Sequence, residues 1–338
     1  MINVNILTRY NFPNFIHQLD NDRFNGKYAF YENSNLDIDW DLVVVYENIS
    51  NLRSVRVKAG GLLFISGEPP ISNAYSVPFL NQFDYLITCH PKLKHKNNIL
   101  SQPSLNWHFG FDVNTNSYRY DFNALKTLPI PSKTRNISII SSSKKMMPGH
   151  CLRLEVIRRL VHTFPDEIDV YGEGINPIVD KADAILPYRF NICIENSFID
   201  DYWSEKFADP ILGYSIPIYS GCTNINRYFN QDFYFNFDIH NINQIIDFIS
   251  SILTDPDWYY KSKLESLIRA REKLLNDYNI FPVLANHLKL IKNNNNKVIQ
   301  KTIVPNDRFF SYKKELSLLR MRRFIYKQYI IFKNYVEK

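Results

Sequence analysis

The stretch at 188–221 reads YRFNICIENSFIDDYWSEKFADPILGYSIPIYSG. Its FNICI segment, at 190–194, is an apolar run of strand length that stops abruptly at three polar residues, Glu195, Asn196 and Ser197. A helix is expected from about Tyr202, and IPIY at 216–219 is a further buried strand. Strand, helix and strand in succession predict an α/β unit. In such sheets ligands are met beyond the carboxyl ends of the strands, which is where the ENS triplet is delivered.

At 3.6 residues per turn, Tyr202, Glu205, Lys206 and Asp209 fall on one broad face of the expected helix. A stripe of phenol, carboxylate and ammonium is not a core stripe. A helix N-terminus favours phosphate through its free amides and dipole, and Lys206 adds a full positive charge for a diphosphate. Glu205 is placed to bond sugar hydroxyls or to stabilise positive charge on a sugar ring. The spacing alone describes a surface helix laced by i, i+4 ion pairs equally well.

Outward from this stretch the pattern repeats. Short apolar runs at 4–7, 42–45, 62–65 and 85–88 carry the signature of a parallel sheet. The segment LKTLPIPSK at 125–133 lacks helical period and holds two prolines, so an extended connector and a domain boundary are expected there. The pattern then restarts with a strand at 137–140, the loop SSSKKMMPGH and the helix CLRLEVIRRLVHTF, followed by a strand at 168–171. Helices are expected at 242–253, at 259–278 and, after a break at Pro282, at 283–290. The reading is α/β, with one domain at 1–128, a second at 129–290, and a ligand cleft between them. A length of 338 residues, 45% of them apolar, suits two cores of ordinary size.

The remaining third region, 291–338, combines a low-complexity, flexible connection (IKNNNNKVIQ) with a basic tail. From Arg308 onward it carries nine basic residues against two glutamates, with Leu316, Leu319, Phe324, Tyr329 and Phe332 interspersed. An amphipathic helix of this kind suits an anionic membrane surface, or else packs back on the body and solvates its basic face.

Composition excludes several classes. A net charge of +6 is too mild for wholesale nucleic-acid binding, and the basic residues gather in the tail instead of lining a groove with stacking aromatics. Cys89, Cys151, Cys193 and Cys222 stand far apart without metal-ligand spacing and read as reduced core thiols. The opening MINVNILTRYNF lacks the pattern of a secretory signal, and no run reaches the ~20 apolar residues of a membrane span. A cytoplasmic location is therefore expected, with the tail peripheral on the inner face of the cytoplasmic membrane.

In the first domain the strand at 62–65 runs into SGEPP, which displays Glu68 at a strand end between a glycine and two prolines. A carboxylate so placed is either a turn residue solvating a loop, as lone glutamates usually are, or a candidate general base. His90 and His108 are assigned no role. DIDWD at 37–41 superficially resembles a metal-binding DxD, but it leads into an apolar strand of this same domain, and no metal site is assigned to it.

Taken together, ENS, then YWSEK, then IPIYSG resemble the donor-binding motif of the α1,3/4-fucosyltransferase family (glycosyltransferase family 10), in its bacterial type. The resemblance is strong over 153–229, traceable over 64–91 through the G-E segment and FDYLITCH, and not visible in the first or last 50 residues. Ser204 stands where the family has threonine, and YGEG at 171–174 follows the family's glycine turn only loosely.

The resemblance implies a GT-B architecture, two Rossmann-like domains facing each other across a cleft, here with a C-terminal helical tail. The second domain would bind GDP-fucose through Arg153, Asn196, Tyr202, Glu205 and Lys206, with Arg153 and Lys206 on the diphosphate and Glu205 also catalytic. The first domain would bind the acceptor, with Glu68 the catalytic base of an inverting transfer of L-fucose to a glycan hydroxyl. The acceptor would be an oligosaccharide or glycolipid, linked α1,3 or α1,4 at a GlcNAc-type residue of a surface polysaccharide or lipopolysaccharide. No cofactor is essential in this reading, GDP-fucose is a co-substrate, and divalent cations are at most stimulatory. Another GDP-deoxyhexose as donor and a non-catalytic glycan-binding relative are the alternatives.

Overall fold

The computed structural model describes residues 1–10, 14–104, 106–143, 148–291 and 297–309, together with positions 321, 324, 325 and 328. Most of the basic tail, and with it the expected membrane helix, lies outside the described residues. Among the described residues no helix is long and apolar enough to cross a membrane. The chain forms two compact units, one of Met1–Asn106 with Asp277–Leu319, the other of Trp107–Asn276 with Arg320–Lys338.

The first unit is built on a six-stranded parallel sheet: β1 (Ile2–Thr8), β2 (Tyr28–Glu32), β3 (Leu42–Tyr46), β4 (Leu62–Ile65), β5 (Tyr85–Thr88) and β6 (Asn98–Leu100). They lie in the order β2-β1-β3-β4-β5-β6. Successive strand residues point to opposite faces, so β3 and β4 send Leu42, Val44, Leu63 and Ile65 into one cluster and Val43, Val45, Leu62 and Phe64 into another. Both faces are covered, as a parallel sheet requires. The helix Ile280–Leu290, far along the chain, supplies Ile280, Phe281 and Leu284 to the first cluster.

That helix includes Pro282 where the sequence suggested a break before it. Asn279 caps the helix through the Phe281 amide, so Pro282 falls in the first turn, where its missing N–H has no intrahelical partner to lose. Part of the expected flexible connection is also ordered. Val298–Ile303 is a strand paired antiparallel with Arg53–Lys58, which in turn pairs with Asp39–Trp40. DIDWD belongs to this small sheet, and its carboxylates are committed to ion pairs: Asp37 and Asp39 with Arg56, and Asp41 with Lys58.

The second unit holds a five-stranded parallel sheet: β7 (Arg135–Ile140), β8 (Ile168–Tyr171), β9 (Tyr188–Ile194), β10 (Ile216–Ser220) and β11 (Phe235–Asn236). Their order is β8-β7-β9-β10-β11. Helix α1 (Pro148–Thr163) follows β7, α2 (Glu205–Leu212) joins β9 to β10, and α3 (Ile242–Ile252) and α4 (Pro256–Asp277) follow. Counted within the unit this is the doubly wound order 2-1-3-4-5, and both units are Rossmann-like, as the sequence led us to expect.

The units divide at Asn106 and Trp107, whereas the change of composition pointed to 128/129. Residues before the proline-containing connector are already tied into the second unit. His108 N–H donates to Asp209 at 3.0 Å, Gly110 N–H to Asp180 at 3.0 Å, and the buried Arg271 guanidinium bonds the carbonyls of both Leu212 and Leu125.

Candidate active site

In a doubly wound sheet the strand order reverses between the first and third strands, and the crevice beyond their carboxyl ends is the natural ligand site. In the second unit those strands are β7, which leads to Ser141–Ser143, and β9, which leads to Glu195–Ser197. Arg153, from the second turn of α1, spans the two exits. Its Nη1 donates to Asn196 Oδ1 at 2.6 Å and its Nη2 to the Ser142 carbonyl at 3.4 Å. Its Nε is buried with no acceptor among the described residues. A buried guanidinium with a spare donor is suited to an anionic oxygen.

Close approach of backbones holds this pair. At Gly149, in the first turn of α1, an added Cβ would lie 2.4 Å from the Asn196 carbonyl oxygen. The obstacle is main chain, so Gly149→Ala must displace either the start of α1 or the ENS turn. We expect it to weaken binding of a phosphate-bearing ligand in this crevice about tenfold or more and to destabilise by about 1–3 kcal/mol. Titration calorimetry and thermal unfolding of the variant would check both, and unchanged binding would show that the turn tolerates the shift.

Glu195 is fully buried, yet every lone-pair direction used has a purpose. Its Oε1 accepts from the Ser204 N–H at 2.7 Å and hydroxyl at 2.8 Å, and Lys206 Nζ stands 3.7 Å from Oε2. Burial pushes its carboxyl above the ordinary range, opposed by Lys206. Ser204 is also the N-cap of α2, accepting from the Lys206 N–H at 3.3 Å. The cap fixes the helix start at Glu205, so Tyr202 precedes the helix instead of opening it, and the expected four-residue face shrinks to Glu205, Lys206 and Asp209. Tyr202 is buried in the approach to the helix, next to Trp203, whose ring packs on Phe207 and Phe229. A hydroxyl at 204 is what the geometry demands, which accounts for serine serving where threonine was expected.

Lys206 Nζ donates to Glu205 Oε1 and Ser204 Oγ, both at 3.2 Å. Burial alone would lower its pKa, and Glu205 and Glu195 more than reverse this, holding the ammonium above its ordinary value. Burial would likewise raise the Glu205 carboxyl, but Lys206 and Lys181 hold it well below the usual range. Lys181, not singled out in the sequence, lies 3.6 Å from Glu205 Oε1 and 3.1 Å from Asp209 Oδ2. Asp209 is pushed up to about 6, chiefly by burial, and its Oδ1 accepts the His108 N–H. The His108 ring, half-buried in this second unit, is lowered to about 4 by desolvation and by Lys181.

Three cations, Arg153, Lys181 and Lys206, thus alternate with three carboxylates, Glu195, Glu205 and Asp209. The structure brings together Arg153 and Asn196, and Glu205 and Lys206, at the ends of adjacent elements. Such a set can grip a diphosphate while presenting an ionised carboxylate to a developing cation.

Glu68 belongs to the first unit, in the turn after β4. Its side chain is half-buried, and the turn is anchored by its main chain. The Glu68 N–H donates to Glu47 Oε1 at 2.7 Å, and its carbonyl accepts from His90 Nε2 at 2.7 Å. Neither Glu47 nor this use of His90 was evident in the sequence. Glu47 directly follows an apolar strand and His90 lies two residues beyond another, and that placement was the available signal.

Residues 130–263 match the family model described as "Glycosyltransferase family 10 (fucosyltransferase) C-term". An alpha-(1,3)-fucosyltransferase, FucT, of Helicobacter pylori is 30% identical over 95 residues, which make up 27% of this chain and 20% of that protein. The match therefore spans about a fifth of that relative's length. A crystal structure of alpha1,3-fucosyltransferase with GDP is similar with a TM-score of 0.47 and 18% identity, covering 82% of this chain and 92% of that one. One with GDP-fucose gives 0.44 and 19%, covering 81% and 90%.

Proposed function

We propose that the protein is a GDP-fucose-dependent fucosyltransferase of glycosyltransferase family 10, a reading supported by the match of residues 130–263 to that family's C-terminal domain. Two Rossmann-like units on one chain are the components of a GT-B enzyme. The observation that carries the reading is Arg153, a buried guanidinium at the switch point of the second unit with one donor unspent, beside the Lys206 ammonium.

In this reading the second unit binds the donor. Arg153 and Lys206 bind the diphosphate, Asn196 orients Arg153, and Tyr202 completes the wall of the site. Glu205, kept ionised by Lys206 and Lys181, faces the fucose and stabilises positive charge as the bond to the leaving GDP lengthens. The first unit binds the acceptor. Glu68 takes the proton of the attacking hydroxyl, which displaces GDP from the opposite face of the sugar and inverts the anomeric centre. The two cations stabilise the departing diphosphate, so no metal is essential, and divalent ions would at most stimulate.

The acceptor is an oligosaccharide or glycolipid, fucosylated at O3 or O4 of a GlcNAc-type residue in a surface polysaccharide or lipopolysaccharide. The α1,3 in the name of the Helicobacter pylori relative supports the O3 choice of linkage. The enzyme would work in the cytoplasm, with the basic tail against the anionic inner face of the membrane.

Titration calorimetry with GDP-fucose, GDP-mannose and UDP-galactose tests the donor. GDP-fucose is expected to bind selectively. Equal binding of GDP-mannose would point to another GDP sugar, and no binding of any GDP sugar would overturn the transferase reading in favour of a non-catalytic relative.

A further inference from the structure

Three adjacent strands of the first unit end in polar residues that converge on one turn. Glu47 follows β3, the turn Ser66-Gly67-Glu68 follows β4, and His90 lies two residues beyond β5. Glu47 is 1% exposed and holds a backbone φ of +66°, a conformation that costs a non-glycine residue energy and is kept where surrounding structure fixes it. Its Oε1 accepts from the main-chain N–H groups of Gly67 (2.5 Å) and Glu68 (2.7 Å) and from the Tyr75 hydroxyl (2.6 Å), and its Oε2 accepts from the Asn73 side-chain amide. A carboxylate gripped by two successive amides is the protein's own version of an anion in a backbone nest.

The other side of the turn is held as well. His90, 4% exposed, donates from Nε2 to the Glu68 carbonyl at 2.7 Å, and its ring lies 5.3 Å from that of Tyr75. Gly67 lets the turn lie against the Tyr46 ring, where a Cβ would come within 2.5 Å of the phenol oxygen. The main chain of Glu68 is thus bonded at both its N–H and its C=O by buried side chains from the two neighbouring strand ends. A solvating surface turn needs no such investment.

We propose that Glu47 and His90 are positioning residues that clamp the Glu68 turn and thereby aim its carboxylate at the acceptor hydroxyl. This rests on the assignment of Glu68 as the base. A misplacement of about 1 Å at a reacting group is enough to cost on the order of 10²-fold in rate, so the clamp acts on turnover and not on donor affinity.

The test is a double-mutant cycle on the full chain with GDP-fucose and a GlcNAc-containing oligosaccharide acceptor. Glu47→Ala is expected to lower kcat about 10²-fold with the donor KM unchanged, and to cause no further loss when combined with Glu68→Gln, because both remove one function. Glu47→Gln keeps an oxygen for the two amides and is expected to restore most of the rate. His90→Leu, which removes the other arm, is expected to lower kcat about tenfold, again without effect in the Glu68→Gln background. It keeps the test decisive if Glu47→Ala does not fold. Losses that multiply with that of Glu68→Gln, or normal turnover in folded variants, would overturn the clamp. Full activity of Glu68→Gln alone would instead overturn the base assignment, and the clamp with it.

Discussion

Glu68→Gln is expected to lower kcat by about 10²- to 10⁴-fold, the range typical of general-base assistance, while GDP-fucose binds as in the unaltered protein. Glutamine matches glutamate in size, and the bonds that fix this turn are made by the Glu68 main chain, to Glu47 and His90, so the loop keeps its place. What is lost is the capacity to accept a proton. The side chains proposed to bind the donor belong to the other unit, so calorimetric affinity for GDP-fucose serves as an internal control on folding. Turnover within tenfold of the unaltered enzyme would remove Glu68 from the mechanism.

The second large effect concerns the cations. Arg153→Ala and Lys206→Ala are each expected to weaken GDP-fucose by about 10²-fold, since each removes a charge-assisted contact from a poorly solvated site. Lys206→Ala carries an additional signature. It strands Glu195, which is fully buried, and Glu205 without their nearest cation, so a loss of about 2–3 kcal/mol of stability is expected at neutral pH. In the variant Glu195, already raised by burial, loses the ammonium that opposes the shift and titrates further above its unfolded value. The folded state then binds more protons than the unfolded one at this group, so stability rises as the pH falls through its folded value. In the unaltered protein Glu205 has the opposite sign: its depressed carboxyl stabilises above the ordinary carboxylate range, and that contribution is lost on acidification through its folded value. Denaturant melts of both proteins from neutral pH down through and below the ordinary carboxylate range would separate the two slopes. Parallel slopes would mean that Lys206 does not govern the charge state of Glu205.

Much of this was legible because the core strands are continuous apolar runs with period-independent burial, and eight of them were placed correctly. Within the two parallel sheets, the strands without a clear sequence signal are the ones at the edges. YAFYE in β2 is half-buried along its length, and β6 and β11 are only three and two residues long. Local sequence carries little signal at such positions, where pairing with a neighbour decides the conformation. The ENS and SEK residues were legible because they lie directly at the end of β9 and the start of α2. Lys181 escaped because nothing near it in the chain reveals that folding brings it to Asp209, 28 positions away. The helix start was misjudged by a few residues for a local reason: Ser204, bonded on both sides by Glu195 and the Lys206 amide, terminates the loop later than the pattern of Tyr202 and Glu205 suggested.

The first unit is assembled from two distant pieces of chain, and this bears on the order of events during synthesis. Residues 107–276 emerge as one uninterrupted stretch and hold their own sheet, so this part can acquire its structure while translation continues. The β1–β6 sheet emerges earlier but lacks Ile280, Phe281 and Leu284, which close one of its faces, until the ribosome has passed position 290. The segment made first is thus completed last, and during that interval its apolar face is open to chaperones and to aggregation. A recombinant fragment ending at 276 would leave that face permanently bare.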